Sequence, residues 1–335
     1  MRSHNFQSRV TTGRLTLPAA LFLSAACWLA SALLLPAGQP EAVPATGLWQ
    51  SLGTDGWPAW LSQALSFLLH GVAGWMLIGL NNTFAIIRMR ASVQTAFYLL
   101  FVAACPLAHW LHAGNAGAIA ALAALYFLFD SYQRKQPEGR LFHAFALLGL
   151  GSLAVPQLLG LVPVFWIGAY NFRALRFKSF CASLLGVCLP YWFLLGHAYF
   201  HGQMELFCLP FRELAHIEPW APDYRPDTLA VLGYLFVLYV AASGHCLATG
   251  FEDKIRTRSY LHFLILLNFC LFTFIAWQPG PGTGLFPLLL AGNAFLAGHL
   301  FALTSSRASN LFFIAMLALL FLLFGFNVWT HWQIP

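Results

Sequence analysis

From about residue 15 to residue 330 the chain is a succession of apolar runs, joined by short connections into which nearly every charge is gathered. A helix crosses the hydrocarbon core of a bilayer with about 20 apolar residues. Backbone in lipid has no water to bond to, so runs of this kind fold as helices. Composition agrees: 8% of residues are charged and 59% hydrophobic, whereas a soluble domain carries roughly 25% charged residues. So few charges cannot clothe a water-facing surface. A soluble enzyme, a nucleic-acid binder and a disordered chain are excluded together. The sequence predicts an all-α polytopic transmembrane helix bundle, with residues 1–335 as a single integral-membrane domain. Membrane lipids are its first expected partners, and nucleic acid is not one.

Eleven runs are candidates for spans: 15–37, 58–80, 93–111, 115–131, 142–155, 157–171, 179–200, 228–248, 260–277, 284–303 and 309–330. The first follows Arg2, Arg9 and Arg14 and is longer than a signal-peptide core, so it reads as an uncleaved anchor. With the N-terminus inside, the inner segments hold fifteen of the seventeen Lys and Arg residues. The outer ones hold only Arg212 and Arg225, together with seven acids (Glu41, Asp55, Glu205, Glu213, Glu218, Asp223 and Asp227). The positive-inside bias then puts the N-terminus in the cytoplasm. Residues 142–172 are free of Lys, Arg, Asp and Glu, with Pro156 and Gly160 near the middle. Two short spans or a re-entrant hairpin both fit, giving eleven spans or nine plus a hairpin. Re-entrant backbone must be enclosed by other helices, so this segment is expected inside the bundle.

Ionisable groups inside a membrane are costly and are functional candidates by default. No Asp, Glu, Lys or Arg falls mid-span. Asp130 sits at an inner helix end beside the cations of 134–140, which suggests an interfacial ion pair. His70, His245 and His299 lie within runs, where a neutral imidazole serves as interhelical glue, as do Gln63, Asn268 and Asn293. His109 and His112 flank Trp110 at the end of the third run and read as an interfacial belt, as do Trp57, Trp60, Trp329 and Trp332. Seven cysteines, odd in number and unclustered, argue against a disulfide framework and a zinc site.

The most informative stretch runs from His197 to Leu229, with 202–227 as the largest extramembrane segment. His197, His201 and Glu205 are spaced i, i+4, i+8, which aligns them on one face if a helix continues. Beyond them come Arg212, Glu213 and His216, and five of the eleven acids of the chain fall in this stretch. A divalent metal at His197 and His201 is one reading of that spacing. Gly202 argues against it, because a helix ending there removes Glu205 from the face. A solvated amphipathic loop on the outer surface is the favoured reading, with no cofactor. Asp55, in LGTDGWPAW, brings a carboxylate to the same side of the bilayer, where one could activate an acceptor hydroxyl as a general base. On the inner side, Arg173 and Arg176 follow the 142–172 segment and suit a lipid phosphate or pyrophosphate.

The stretch from Leu141 to Gly196 carries Gly149 and Gly151, then Pro156 to Tyr170, then the basic turn from Arg173 to Lys178, then Leu189 and Pro190. In this order of short spans, basic turn and Leu-Pro it resembles a family of uncharacterised polytopic inner-membrane proteins of Bacteroidetes. It looks more distantly like integral-membrane glycosyltransferases that take sugars from polyprenyl-phosphate donors. That resemblance implies an acidic catalytic base in the first outer loop, and Asp55 is the matching position. The chain lacks the paired acidic motif and the outer soluble domain of those enzymes.

These readings give three expectations. The first is a protein of cell-envelope biogenesis, glycosyltransferase-like, acting on a polyprenyl-linked substrate at the outer face. Asp55, Glu205, Glu213 and His216 would then be catalytic, with His197, His201, Arg212, Arg173 and Arg176 binding substrate. The second is a transporter or lipid flippase using 142–172 and the buried histidines. The third is a non-catalytic scaffold.

Overall fold

The computed structural model describes residues 5–34, 47–50, 57–88, 92–217 and 225–333. Every regular element among them is helical. In chain order they are α1 (Phe6–Thr12), α2 (Thr16–Leu34), α3 (Gly47–Gln50), α4 (Ala59–Phe84), α5 (Val93–Ala103), α6 (Ala113–Asp130), α7 (Glu138–Ala154), α8 (Val162–Asn171), α9 (Phe177–Phe200), α10 (Met204–Ala215), α11 (Pro226–Thr249), α12 (Ile255–Trp277), α13 (Pro279–Gly282), α14 (Phe286–Leu303) and α15 (Arg307–Gln333). Among the described residues eight segments, built on α2, α4, α6, α9, α11, α12, α14 and α15, are long and apolar enough to cross a membrane. The chain is a multi-pass membrane protein.

Proline interrupts two of the expected runs, one where the sequence carries no warning and one where it does. The third run, 93–111, is not one continuous helix. Proline disfavours helical backbone in the residue before it, and Cys105 before Pro106 is extended (φ −116°, ψ 92°). α5 therefore stops after 11 residues, about 16 Å of helix, and a 3-10 turn follows at Pro106–His109. Likewise Val155 before Pro156 leaves helical geometry (φ −132°, ψ 89°). Residues 142–172 are then two unequal legs joined by a turn, an arrangement that fits a re-entrant hairpin and two short spans alike. α7 is one 17-residue leg; the return is a 3-10 turn, Pro156–Leu161, followed by the ten residues of α8. The return ends where α7 began, with Gln133 N donating to Phe172 O at 3.0 Å.

Contacts between turns define two faces. On the first, Tyr260 OH donates to Phe129 O (2.9 Å) and Thr257 Oγ1 to Ala85 O (3.3 Å). There too the Gln7 side chain bonds Phe301 O and Thr304 O, tying α1 to the end of α14. This basic face carries Arg88, Arg134, Arg173, Arg256 and their neighbours. Asp130 pairs there with Arg134 at 2.5 Å and with Arg140, the ion pair the sequence suggested. The far face gathers 104–112, the α9–α10 corner, the start of α11 and the end of α15, where Asn327 Nδ2 donates to Ala104 O at 2.7 Å.

α14 forms the axis: every side chain from Phe286 to Phe301 is buried. α5, α6, α11 and α12 pack around it, and Asn293 Nδ2 reaches Asn268 Oδ1 on α12 at 3.3 Å. The most extensive helix pairing joins α7 to α9. A Cβ added at Gly186 would meet Phe142 O at 2.5 Å, and one at Gly149 would meet Val187 O at 2.8 Å. Without a hydrophobic driving force between helices in lipid, close backbone approach at small residues of this kind supplies the packing energy.

Candidate functional site at the α9–α10 corner

α9 ends at Phe200, His201 caps it, and Gly202 takes a left-handed conformation (φ +66°) that turns the chain into α10. Gln203 N closes the turn onto Ala198 O at 2.9 Å. His197 and His201 stand one turn apart with ring centroids 4.4 Å from each other, both exposed. Glu205 lies beyond the turn, in the first turn of α10, off the α9 face. Among the described residues no group of three or more His, Cys, Asp or Glu side chains could hold a metal ion.

α10 is amphipathic, and its placement follows from that. Pro210 is buried, Phe207 and Phe211 stack toward each other (5.4 Å), and Phe211 packs on Tyr191 (5.0 Å). Tyr191 is held in turn by its hydroxyl, 2.8 Å from Ser152 Oγ on α7. Glu205, Arg212 and His216 are exposed, and Glu213 is half-buried. Such a helix lies in the interface with its polar side to water. α3 packs against α10, so the first connection between spans meets the polar segment that follows α9. Asp55, five residues past Gln50, lies outside the described residues, as do Glu218 and Asp223.

Arg173 and Arg176 do not join this corner. They precede α9 on the basic face, separated from His197 by most of a 24-residue helix, roughly 30 Å at 1.5 Å per residue. Arg173 is exposed with φ +57°, and Arg176 donates to Lys135 O at 3.3 Å.

The belt expected around Trp110 is not a belt. His109, Trp110 and His112 are buried, His109 with 1% exposure. They line the helix break after α5, whose backbone would otherwise lack partners. α4 supplies them: Ser66 Oγ donates to Ala108 O (2.9 Å), Ser62 Oγ accepts from Leu111 N (3.1 Å), and His70 Nε2 lies 3.2 Å from the same Ala108 O. His70 Nδ1 reaches Tyr98 OH at 2.8 Å, Asn115 Nδ2 donates to Ser66 Oγ at 2.8 Å, and His112 Nδ1 caps α6 from Gly114 N at 3.0 Å. His109 stacks on Trp28 at 3.8 Å and meets Ser31 Oγ at 2.6 Å. Trp60 and Trp329 are exposed, as interfacial residues should be.

Two ion clusters escaped the sequence reading. On the basic face the Asp253 side chain is fully buried between Arg88 Nε (2.7 Å) and His299 Nε2 (3.3 Å), and His299 Nδ1 lies 3.3 Å from Cys246 Sγ. On the far face Asp227, counted in the sequence as a loop acid, is buried between Arg225 (3.4 Å) and His331 (3.4 Å). A cavity of 30 Å³ beside it, lined by His112, Asp227 and Asn327, has room for about two water molecules and no ligand. The seven cysteines are all free. Comparison with protein-family models, with curated proteins and with solved structures finds no match to this chain.

Proposed function

We propose that the chain is a bacterial inner-membrane protein of cell-envelope biogenesis, with its basic face in the cytoplasm, that acts on a lipid-linked substrate at the far, outer face. The observation that carries this reading is the packing of α3 against α10. Asp55 follows Gln50 by only five residues in the sequence, and the α9–α10 corner carries Glu205, Arg212 and His216. Asp55 is then the general base of a glycosyltransferase-like reaction, deprotonating the acceptor hydroxyl. Glu213 and His216 border the reacting group, and His197, His201 and Arg212 engage the donor phosphate. Arg173 and Arg176, on the opposite face, have no part in it. The transport alternative draws less support, since every residue of α14 from Phe286 to Phe301 is buried in the bundle.

The test is sugar transfer from a panel of polyprenyl-phosphate-linked donors, followed by mass in nanodiscs holding the purified protein. Asp55→Asn should lower turnover by about 10²–10⁴-fold, the usual worth of a general base, with the melting temperature unchanged. Undiminished turnover would remove Asp55 from the reaction. No transfer from any donor would leave the scaffold reading, which rests on the exposed aromatic pair Tyr199 and Phe200 at the corner. Partners that co-purify with the wild type and not with a chain lacking α10 would then be expected.

A further inference from the structure

A second, roomier cavity lies at the other end of the bundle and is independent of the far-face reading. Between α1, α2, α5 and α15 runs a groove of about 570 Å³, within the roughly 300–1,000 Å³ of small-molecule sites. Its floor is aromatic: Phe97 is buried, with its ring 5.5 Å from Phe301 and 6.2 Å from Phe313. Small side chains on the flanking helices, Ala20 and Ala96, leave the space open. Leu15 (78% exposed) and Phe321 (49%) mark a side that is left open among the described residues. Along α2 the groove extends from Thr16 to Leu23, about 10 Å at 1.5 Å per residue. That is most of the depth of one leaflet, about 15 Å of hydrocarbon.

The mouth of the groove is cationic. Arg9 and Arg14 line it, both are exposed, and neither enters an ion pair among the described residues. Gly13 to Thr16, at the same mouth, lead into the first turn of α2, whose helix dipole also favours an anion. An apolar slot about two-thirds of a leaflet deep, with two cations at its mouth, matches the upper part of one acyl chain beneath one phosphate. A polyprenyl tail is far longer than the slot.

We propose that this groove binds an anionic glycerophospholipid of the adjoining leaflet, with an acyl chain against Phe97 and Phe313 and its phosphate at Arg9 and Arg14. The test exchanges the purified protein into mixed micelles with equal amounts of dioleoyl phosphatidylglycerol and dioleoyl phosphatidylcholine, and counts retained lipid by native mass spectrometry. The wild type should retain phosphatidylglycerol at least tenfold over phosphatidylcholine. Each cation near an anionic headgroup is worth roughly fivefold, so Arg9→Gln with Arg14→Gln should cut that preference by about tenfold or more. Lys135→Gln with Lys178→Gln, the same charge loss on the same face, should leave it intact. Removing N-terminal cations also weakens the orientation signal, so a second variant is needed. Ala19→Trp, at an exposed position on the groove wall, should abolish retention with the melting temperature unchanged. Equal retention of the two lipids by the wild type would overturn the proposal, as would equal losses in both charge variants. Displacement of phosphatidylglycerol by a polyprenyl phosphate, or a dimer that excludes lipid, would assign the groove to another occupant.

Discussion

The far face holds two interruptions of the helical ladder, and they are built in opposite ways. After α5 the chain leaves helix at Cys105 and does not resume until Ala113, yet this break is buried. Its carbonyls and amides are answered by Ser62, Ser66 and His70, all projecting from α4. After α9 the chain breaks over only His201 to Gln203, at the surface, where water is available. There the His197, His201 and Glu205 side chains are exposed, with no structural duty comparable to that of His70. The lesson is that a polar side chain in a membrane protein has to be judged by what backbone it serves. The buried histidines look more exceptional in the sequence, but structural work accounts for them. The exposed ones, His197 and His201, serve no such backbone group among the described residues.

The largest effect should come from stripping the buried break. Ser62→Ala, Ser66→Ala and His70→Phe together leave the Leu111 amide and the Ala108 carbonyl without side-chain partners. A buried polar group deprived of its partner costs about 1–3 kcal/mol in water-soluble proteins, and interhelical bonds in membranes average about 0.6 kcal/mol. Between these limits the triple variant should lose about 3 kcal/mol, read as a lowered midpoint in denaturant titration of the micellar protein. A loss below about 0.5 kcal/mol, the ordinary scatter of surface substitutions, would mean that α4 does not support the break, and the contrast with the corner would fail.

The second effect tests α9 itself, which is locked at one end and open at the other. Gly186→Ala drives a methyl group against the backbone of α7, with Phe142 O 2.5 Å and Ala146 N 3.0 Å from the new Cβ. Backbone cannot step aside as a side chain does, so overpacking of about 2 kcal/mol is expected. Gly196→Ala, ten residues further along the same helix, meets nothing within 4 Å. It should stabilise by about 0.5 kcal/mol through reduced chain entropy. Opposite signs from the same chemical change, read by thermal unfolding, would confirm where the packed part of α9 ends.

Much of this arrangement could be read from the chain, and the parts that could not share a cause. The expected runs 15–37, 179–200, 228–248 and 284–303 correspond within a few residues to α2, α9, α11 and α14, because hydropathy and length decide such elements locally. Pro156 was read correctly as a break. Pro106 was not, because the apolar residues on both sides of it masked the change of backbone. The helix stop at Gly202 was legible, since a left-handed turn is a property of glycine itself. By contrast, Asp253 stands in a run of charges, FEDKIR, that reads as a solvated turn. It is buried because Arg88 and His299, 165 and 46 positions away, close over it. Asp227 and His331 are likewise brought together only by the packing of α11 on α15. Pairings across the bundle leave no periodic trace in a single sequence.

A third effect bears on the corner turn. Gly202 has φ +66° with open space around it, so an alanine there meets backbone strain and nothing else. Left-handed backbone costs a residue with a Cβ roughly 1 kcal/mol. Gly202→Ala should destabilise by about that amount, while Gly202→Asn, which tolerates this conformation better, should recover much of it. Equal losses for the two variants would show that the glycine is needed for something other than its φ.

The smallest expected effect on stability is the one on which the functional contrast rests. His201→Ala and Glu205→Gln alter exposed side chains that fill no cavity. Surface changes of this kind fall within about 0.5 kcal/mol, so the unfolding midpoint of the double variant should match the wild type. If the corner meets a lipid-linked substrate, the same variant should lose binding or turnover with no loss of stability. The buried-break variants should show the reverse, with activity falling only in step with the folded fraction. Comparing the two at a temperature where both are fully folded separates the cases. A corner variant that unfolds early would mean that His201 and Glu205 hold α9 to α10, and the exposed histidines would then be structural like the buried ones.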